Sequence, residues 1–222
     1  MKDNIKWSKL TNWFIIKPKL TAFIVFLIFS ILFTYIAFQK YHIEKENKRI
    51  EMINTLKVLH QNLEQSLKNC YTTTLTLALT INDDGIPEDF DLIGAQLLAS
   101  NNSIEAVQLV PKGVIQYIYP MKGNEAALGL NILKTEYLKK EAYKSIISQK
   151  MYFAGPLNLK QGGQGIVGRL PVYLNNEFWG FSAVIIKLDK LLKTARVNSI
   201  DRSKYYFQIS KKNPITQKEV YF

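Results

Sequence analysis

Residues 20–38 read LTAFIVFLIFSILFTYIAF and contain no charge, no glycine and no proline. As an α-helix this segment would be about 28 Å long, close to the roughly 30 Å hydrocarbon core of a bilayer. A cleavable signal peptide has a shorter apolar stretch and a small-x-small cleavage site, whereas this segment runs on into Gln39-Lys40 without such a site. The segment therefore predicts a transmembrane helix in preference to a buried helix of a soluble core.

Basic residues flank this segment on both sides. Residues 1–19 hold five bases and one acid, and residues 39–57 hold five bases and three acids. Anionic headgroups attract Lys and Arg, so much of the formal net charge of +11 suits a membrane surface. No other helix clusters bases on one face, and nucleic-acid binding is not expected. The charge difference favours a cytoplasmic N-terminus over residues 1–19, although acidic residues contribute little to this rule.

Residues 39–82 are predicted to form a long stalk helix. Residues 39–80 lack glycine and proline, and apolar residues recur mostly three or four positions apart. This stripe consists of Ile43, Ile50, Ile53, Leu56, Leu59, Leu63, Leu67 and Cys70. It is either the seam of a homodimer or a face that packs onto the chain's own domain. Lys57 and His60 break the heptad order, so both interpretations stay open.

The rest of the chain predicts an α+β fold with an antiparallel sheet. Turn-forming residues at 82–87 end the stalk region. Helical patterns cover 88–100, 134–149 and 188–197. Strand patterns cover 104–110, 114–119, 150–153, 166–174 and 179–188, and a final hairpin is predicted from 205–210 and 218–222. This order of elements, without an internal repeat, is typical of a mixed α+β domain.

The sequence offers no catalytic, metal or cofactor motif. Gly163-Gln164-Gly165-Ile166-Val167-Gly168 matches G-x-G-x-x-G but leads into a strand pattern, so we interpret it as a turn. His42 and His60 lie eighteen residues apart on the stalk, and no metal site is expected there. The single cysteine, Cys70, excludes an intramolecular disulfide and is expected to be a packed thiol. We therefore expect a protein that is not an enzyme and carries no cofactor.

Three blocks of sequence resemble a known family. They are IQYIYPMKGNEAALGLNI at 115–132, AYKSIISQKMYFAGPLNLKQGGQGIVGRLPVY at 142–173 and FWGFSAVIIKLDKLL at 178–192. The pattern of Tyr119, Pro120, Asn124, Glu125 and Gly129 is similar to a motif of the CHASE domain. That domain is the extracytoplasmic input module of sensor histidine kinases, nucleotide cyclases and cyclic-di-GMP enzymes. The resemblance is strong over about residues 85–192.

The resemblance implies two PAS-like subdomains after the stalk. Residues 83–187 would be the membrane-distal, ligand-binding subdomain, and residues 188–222 a connector helix and the start of an incomplete membrane-proximal subdomain. A hairpin alone cannot bury a core. We therefore expect a fragment of a longer receptor with a second membrane helix and a cytoplasmic output domain, held in the inner membrane. The alternative is a membrane-tethered structural or dimerisation domain without a small-molecule ligand.

The resemblance also implies a ligand pocket. Plant members bind cytokinins through an aspartate on a distal-subdomain strand, and Asn131 occupies the matching position, with backbone contacts near Phe153 and Ala154. Asn131 carries no charge, which argues against adenine-type recognition and for another small molecule. The candidate pocket residues are Tyr117, Tyr119, Asn131, Phe153, Ala154, Leu170 and Val172. The alternative is that they are ordinary sheet core, because pockets are themselves mostly apolar. Asn124 and Glu125 are expected to hold a loop.

Overall fold

A computed structural model describes residues 16–159, 162–201, 203–206, 208–212 and 217–221. The chain forms two compact units, residues 1–57 and residues 58–222. Helix α1 (Pro18–Ala78) is the one helix of the described residues that is long and apolar enough to cross a membrane. In the first unit its apolar side chains are exposed, as Phe26 at 69% and Phe33 at 69% illustrate. The predicted apolar segment at 20–38 is thus helical and has no protein core around it.

The second unit is built on a five-stranded antiparallel sheet. Its strands are β1 (Ala106–Pro111), β2 (Tyr117–Tyr119), β3 (Tyr152–Asn158), β4 (Gln164–Leu174) and β5 (Glu177–Lys187). Their order is β2-β1-β5-β4-β3, which puts β5 in the centre. The helices are α2 (Phe90–Ser100), α3 (Glu136–Ser148) and α4 (Leu188–Thr194), and a two-stranded hairpin follows, β6 (Ser210–Lys212) with β7 (Glu219–Tyr221). The predicted α+β class with an antiparallel sheet is confirmed.

Side chains alternate between the two faces of the sheet, and each face has its own core. The α1 face is covered by α1 and α2 and buries Cys70, Leu77, Phe90, Ile104, Val107, Leu109, Val184, Ile186 and Leu191. The α3 face is covered by α3 and the loop before it. Its core consists of Ala106, Val110, Ile115, Ile118, Ala127, Ile132, Leu138, Ala142, Leu159, Val167, Phe181, Ala183 and Ile185. Both faces of β5 are buried, which explains its nearly continuous apolar sequence.

The stalk stripe behaves differently in the two units. In the second unit, Leu63 and Cys70 pack into the core of the α1 face, and Ser182 Oγ donates a 2.7 Å hydrogen bond to the Thr74 carbonyl. In the first unit the stripe residues are exposed, with Ile43 at 58% and Leu56 at 52%. Packing onto the chain's own domain is therefore correct for the part of the stripe near the sheet.

Cys70 is a packed thiol, as predicted. Its side chain is fully buried, and burial raises the pKa of the thiol to about 12. We expect no measurable reaction with a thiol-specific disulfide reagent at pH 7.5 in the native chain, because only the thiolate reacts. Unfolding in urea should release one equivalent of reactive thiol, followed by absorbance. Rapid labelling of the native chain would show that the helix leaves the sheet readily.

Most predicted elements lie within a few residues of the observed ones; β3 extends five residues beyond the predicted end at 153, and the C-terminal hairpin also differs. The sequence predicts a strand at 205–210, yet among the residues of this range that the structure describes only Ser210 belongs to β6, and 207 lies outside the described residues. The Asp201 carbonyl accepts hydrogen bonds from the amides of Lys204 and Tyr205, so the chain turns there. Tyr206 is 94% exposed. The glycine motif leads into a strand, as predicted, but only Gly163 of the motif precedes that strand, because residues 164–168 already belong to β4.

Candidate ligand-binding site

A small cavity lies between the α3 face of the sheet and α3. Its volume is about 40 Å³, enough for roughly three water molecules. Its walls are mostly aliphatic with a few polar groups, which is the usual make-up of a ligand site. The lining residues are Gln108, Ile115, Ala127, Leu130, Ile132, Tyr137, Leu138, Asn158, Leu159, Val167, Arg169 and Ile185.

Strand pairing aligns the polar residues of this cavity in one row across the sheet. Ala183 of β5 lies opposite both Gln108 of β1 and Arg169 of β4, and Arg169 lies opposite Tyr152 of β3. Residues directly opposite each other project from the same face of a sheet. Because Ala183 has only a methyl group, it leaves space between the two longer polar side chains. Gln108 and Arg169 are both buried, at 3% and 4% exposure.

Helix α3 is held over this row by hydrogen bonds to β4. Ser145 is fully buried, and its hydroxyl lies 3.0 Å from both the Arg169 and the Lys150 carbonyl oxygens. The Tyr173 hydroxyl donates a 3.1 Å hydrogen bond to the Ile146 carbonyl, one helical residue further on. These contacts place α3 directly above the strand that carries Arg169.

Arg169 is a buried cation with an unused donor. Its Nη1 has no hydrogen-bond partner among the described residues. Burial lowers the pKa of the guanidinium to about 10, against the attraction of Glu141, which acts to raise it. The group therefore stays protonated at neutral pH. A charged side chain buried to this degree is nearly always paired, so an unpaired one calls for an explanation.

The nearest acid, Glu141 on α3, is already occupied. Its carboxylate accepts from Lys211 Nζ at 3.2 Å, from the Gly155 amide at 3.3 Å and from the Tyr152 hydroxyl at 3.5 Å. Lys211 belongs to β6 and also donates to the carbonyls of Phe153 and Gly155. No salt bridge joins Glu141 to Arg169 in the part of the chain that the structure describes. The carboxylate thus joins the hairpin to the sheet.

Five of the seven predicted pocket residues lie on the α1 face. The Tyr117 ring packs 5.6 Å from the Phe90 ring, and Tyr119 packs beside Gly94 of α2. Phe153 and Leu170 lie together in an open groove of about 520 Å³ bordered by α1. Val172 follows Leu170 by two residues on β4 and pairs with Gly180 of β5. Ligand contacts by these residues stay a prediction.

The other two predicted pocket residues, Ala154 and Asn131, lie on the side of the sheet that α3 covers. Ala154 pairs with Val167, a cavity residue. Asn131 lies between the cavity residues Leu130 and Ile132, and its Oδ1 accepts the amides of Leu133 and Lys134 at 3.0 Å. The structure therefore does not bring the seven residues into one pocket.

Sequence reasoning missed Gln108 and Arg169. The available signal was a lone charge inside the otherwise uncharged stretch from Gly162 to Leu174. The expectation for the preceding loop is confirmed, because Asn124 Nδ2 donates to the Pro120 carbonyl at 2.8 Å and Glu125 accepts from the Gly123 amide at 2.9 Å.

A five-stranded antiparallel sheet of this order, backed by a long helix and closed by a second helix over a cavity, defines a PAS-like sensor domain. The CHASE domain model matches residues 89–222, more than half of the sequence, and the chain belongs to the CHASE domain family. It is an extracellular ligand-sensing input module, anchored to a membrane through α1.

Solved structures with the same fold are distant in sequence. The chain is similar to the ligand-binding domain of a Pseudomonas aeruginosa amino acid chemoreceptor in complex with L-Arg, at 17% identity and a TM-score of 0.52, covering 68% of this chain and 62% of that one. The ligand-binding domain of a Campylobacter jejuni chemoreceptor in complex with 4-methylisoleucine matches at 14% identity and a TM-score of 0.51. The match covers 67% of this chain and 62% of that one. An extracellular ligand-binding receptor from Desulfohalobium retbaense matches at 17% and 0.51, covering 62% of this chain and only 26% of that one. No curated protein matches the sequence.

Proposed function

We propose that this chain carries the input domain of a transmembrane receptor and binds a small molecule in the cavity under α3. The observation that carries this proposal is the aliphatic cavity with two buried polar side chains, Gln108 and Arg169, at its floor. Buried polar groups in an apolar wall orient a ligand, while the wall contributes most of the contact. The two chemoreceptor domains were solved with a single amino acid bound, which supports a small-molecule ligand for this fold.

The proposed arrangement follows the layout of such receptors. The N-terminus would be cytoplasmic and the sensor domain extracytoplasmic, in the inner membrane, with a histidine kinase or nucleotide cyclase as the output. The proposed segments are 1–19 (cytoplasmic), 20–38 (transmembrane), 39–82 (stalk), 83–187 (membrane-distal subdomain) and 188–222 (connector and start of the proximal subdomain). The exposed stripe at Ile43, Ile50, Ile53 and Leu56 supports dimerisation through the stalk.

Signalling requires that the ligand bind one conformation of the domain more tightly than another. The cavity and α1 lie on opposite faces of the same strands. A ligand that shifts β4 or β5 would therefore act on the packing of α1, for example at the hydrogen bond from Ser182 to Thr74.

Thermal unfolding of the full chain in lipid nanodiscs, with amino acids, organic acids, nucleobases and sugars, tests the proposal. At a concentration of 100 times its Kd, a ligand should raise the Tm by roughly 5–10 °C. Ala127→Val adds two methyl groups to the cavity wall and should abolish this shift. Lys68→Ala, in the groove of the α1 face, is the matched control and should retain it.

Two results would contradict the proposal. The first is the absence of stabilisation by every compound, which favours a tethered structural domain. The second is a shift that survives Ala127→Val and disappears in Lys68→Ala. That result would move the site to the groove formed by Phe153 and Leu170.

A further inference from the structure

The charges beneath α3 do not balance. Arg169 and Lys211 carry two positive charges, and Glu141 carries the one negative charge that faces them from α3. Within the described part of the chain, Glu141 forms one salt bridge, with Lys211 at 3.2 Å, and also accepts from the Gly155 amide and the Tyr152 hydroxyl. One buried positive charge is therefore left without a counter-charge in direct contact. An isolated buried charge is strongly unfavourable unless a partner neutralises it.

The uncompensated charge borders the cavity. Arg169 lines it, and the unpartnered Nη1 belongs to a side chain that is 4% exposed. A guanidinium presents its N–H groups as a planar fork, which matches the two oxygens of a carboxylate. Much of the remaining wall is aliphatic, formed by residues such as Ile132, Leu138 and Val167. It suits a short hydrocarbon body and leaves no second charge to satisfy a doubly charged ligand.

We propose that the cavity binds a small organic acid whose carboxylate accepts hydrogen bonds from the Arg169 guanidinium and whose short apolar body contacts the aliphatic wall. This inference rests on the proposed function, because it assigns a chemical class to the ligand of the same cavity. The volume of about 40 Å³ makes the smallest acids, of two to four carbons, the first candidates, and the cavity wall must yield slightly even for these. Longer acids require α3 or the loop before it to move outward.

Pairs of isosteric compounds provide the test. Acetate, propionate, butyrate and pyruvate are each titrated into the full chain in nanodiscs, in Tris chloride buffer, beside acetamide, propionamide and butyramide. Binding is measured by calorimetry and by thermal unfolding. We expect at least one acid to bind at least tenfold more tightly than its amide, since the amide has the same shape without the charge. This comparison uses the wild-type chain alone, so the test of charge recognition does not depend on whether a variant folds.

Two variants identify the residue. Arg169→Met removes the guanidinium while keeping a long apolar side chain, and it should abolish acid binding. Its Tm without ligand should equal or exceed that of the wild type, because the unpaired buried charge is gone. A residue with a purely structural role would instead lower the Tm when replaced. Lys150→Ala, in the groove of the α1 face, removes a positive charge from a different site and should leave acid binding unchanged.

Each other outcome overturns the inference in a recognisable way. Equal affinity for acids and amides would show that charge is not recognised. Undiminished acid binding in Arg169→Met would show that Arg169 does not hold the carboxylate. In both cases small-molecule sensing itself survives. Binding of inorganic phosphate in place of every acid would assign the site to inorganic anions. No binding of either series would also overturn it, and the wider metabolite screen would then decide the proposed function separately.

Discussion

Phe181→Ala is expected to destabilise the folded unit by about 3–5 kcal/mol, the range found when a buried phenyl ring is deleted. Phe181 is fully buried on the α3 face, and its ring lies 5.0 Å from the Phe178 ring. For a unit of this size the loss corresponds to a Tm lower by roughly 6–20 °C. Circular dichroism during heating measures it.

Tyr206→Ala serves as the control for Phe181→Ala, because it deletes an aromatic ring that is 94% exposed. Its effect should stay within about 0.5 kcal/mol. A loss below about 1 kcal/mol for Phe181→Ala would mean that the core of the α3 face is not packed as described.

Gly180→Ala is expected to cost about 3 kcal/mol or more, at the upper end of the range for overpacking. A Cβ at Gly180 would lie 2.3 Å from the Val110 carbonyl oxygen and 2.7 Å from the Pro111 Cα. These are backbone atoms of the neighbouring strand, and Pro111 is directly paired with Gly180, so neither side can yield without breaking the ladder. The midpoint of urea unfolding gives the change in free energy.

Gly123→Ala separates steric conflict from backbone strain. Gly123 has a φ of +85°, and a Cβ there would meet nothing within 4 Å. Its replacement should cost only the 1–2 kcal/mol of a left-handed conformation. If both glycine variants lose the same free energy, the close approach of β5 to β1 at Gly180 is not real.

The sheet was largely predictable, since β4 and β5 carry long runs with strong strand propensity. The C-terminal hairpin was less predictable from the sequence. Tyr205 and Tyr206 have high strand propensity, but propensity yields to context where no sheet face is available to cover. The observed hairpin therefore begins five residues later, at Ser210.

The cavity was only partly predictable, and β4 shows why. A period of two divides its side chains between two faces, and the sequence does not say which face α1 and α2 will cover. The family resemblance places Leu170 and Val172 in the pocket. In the structure Leu170 lines the groove bordered by α1, and the preceding residue, Arg169, lines the cavity. The docking of α1 and α2 determines which face of β4 is covered, and no local sequence pattern of β4 encodes that docking.

Ser182 and Ala183 are consecutive residues of the central strand. The Ser182 hydroxyl holds the Thr74 carbonyl of α1, and Ala183 lies between Gln108 and Arg169 on the other side. Ala183, beside the proposed ligand site, and Ser182, which contacts α1, are thus separated by one peptide unit. A ligand could therefore act on α1 without a chain of intermediate residues. Changes that tune sensitivity and changes that tune transmission should therefore alternate along this strand, so that a genetic screen would find the two phenotypes interleaved at odd and even positions.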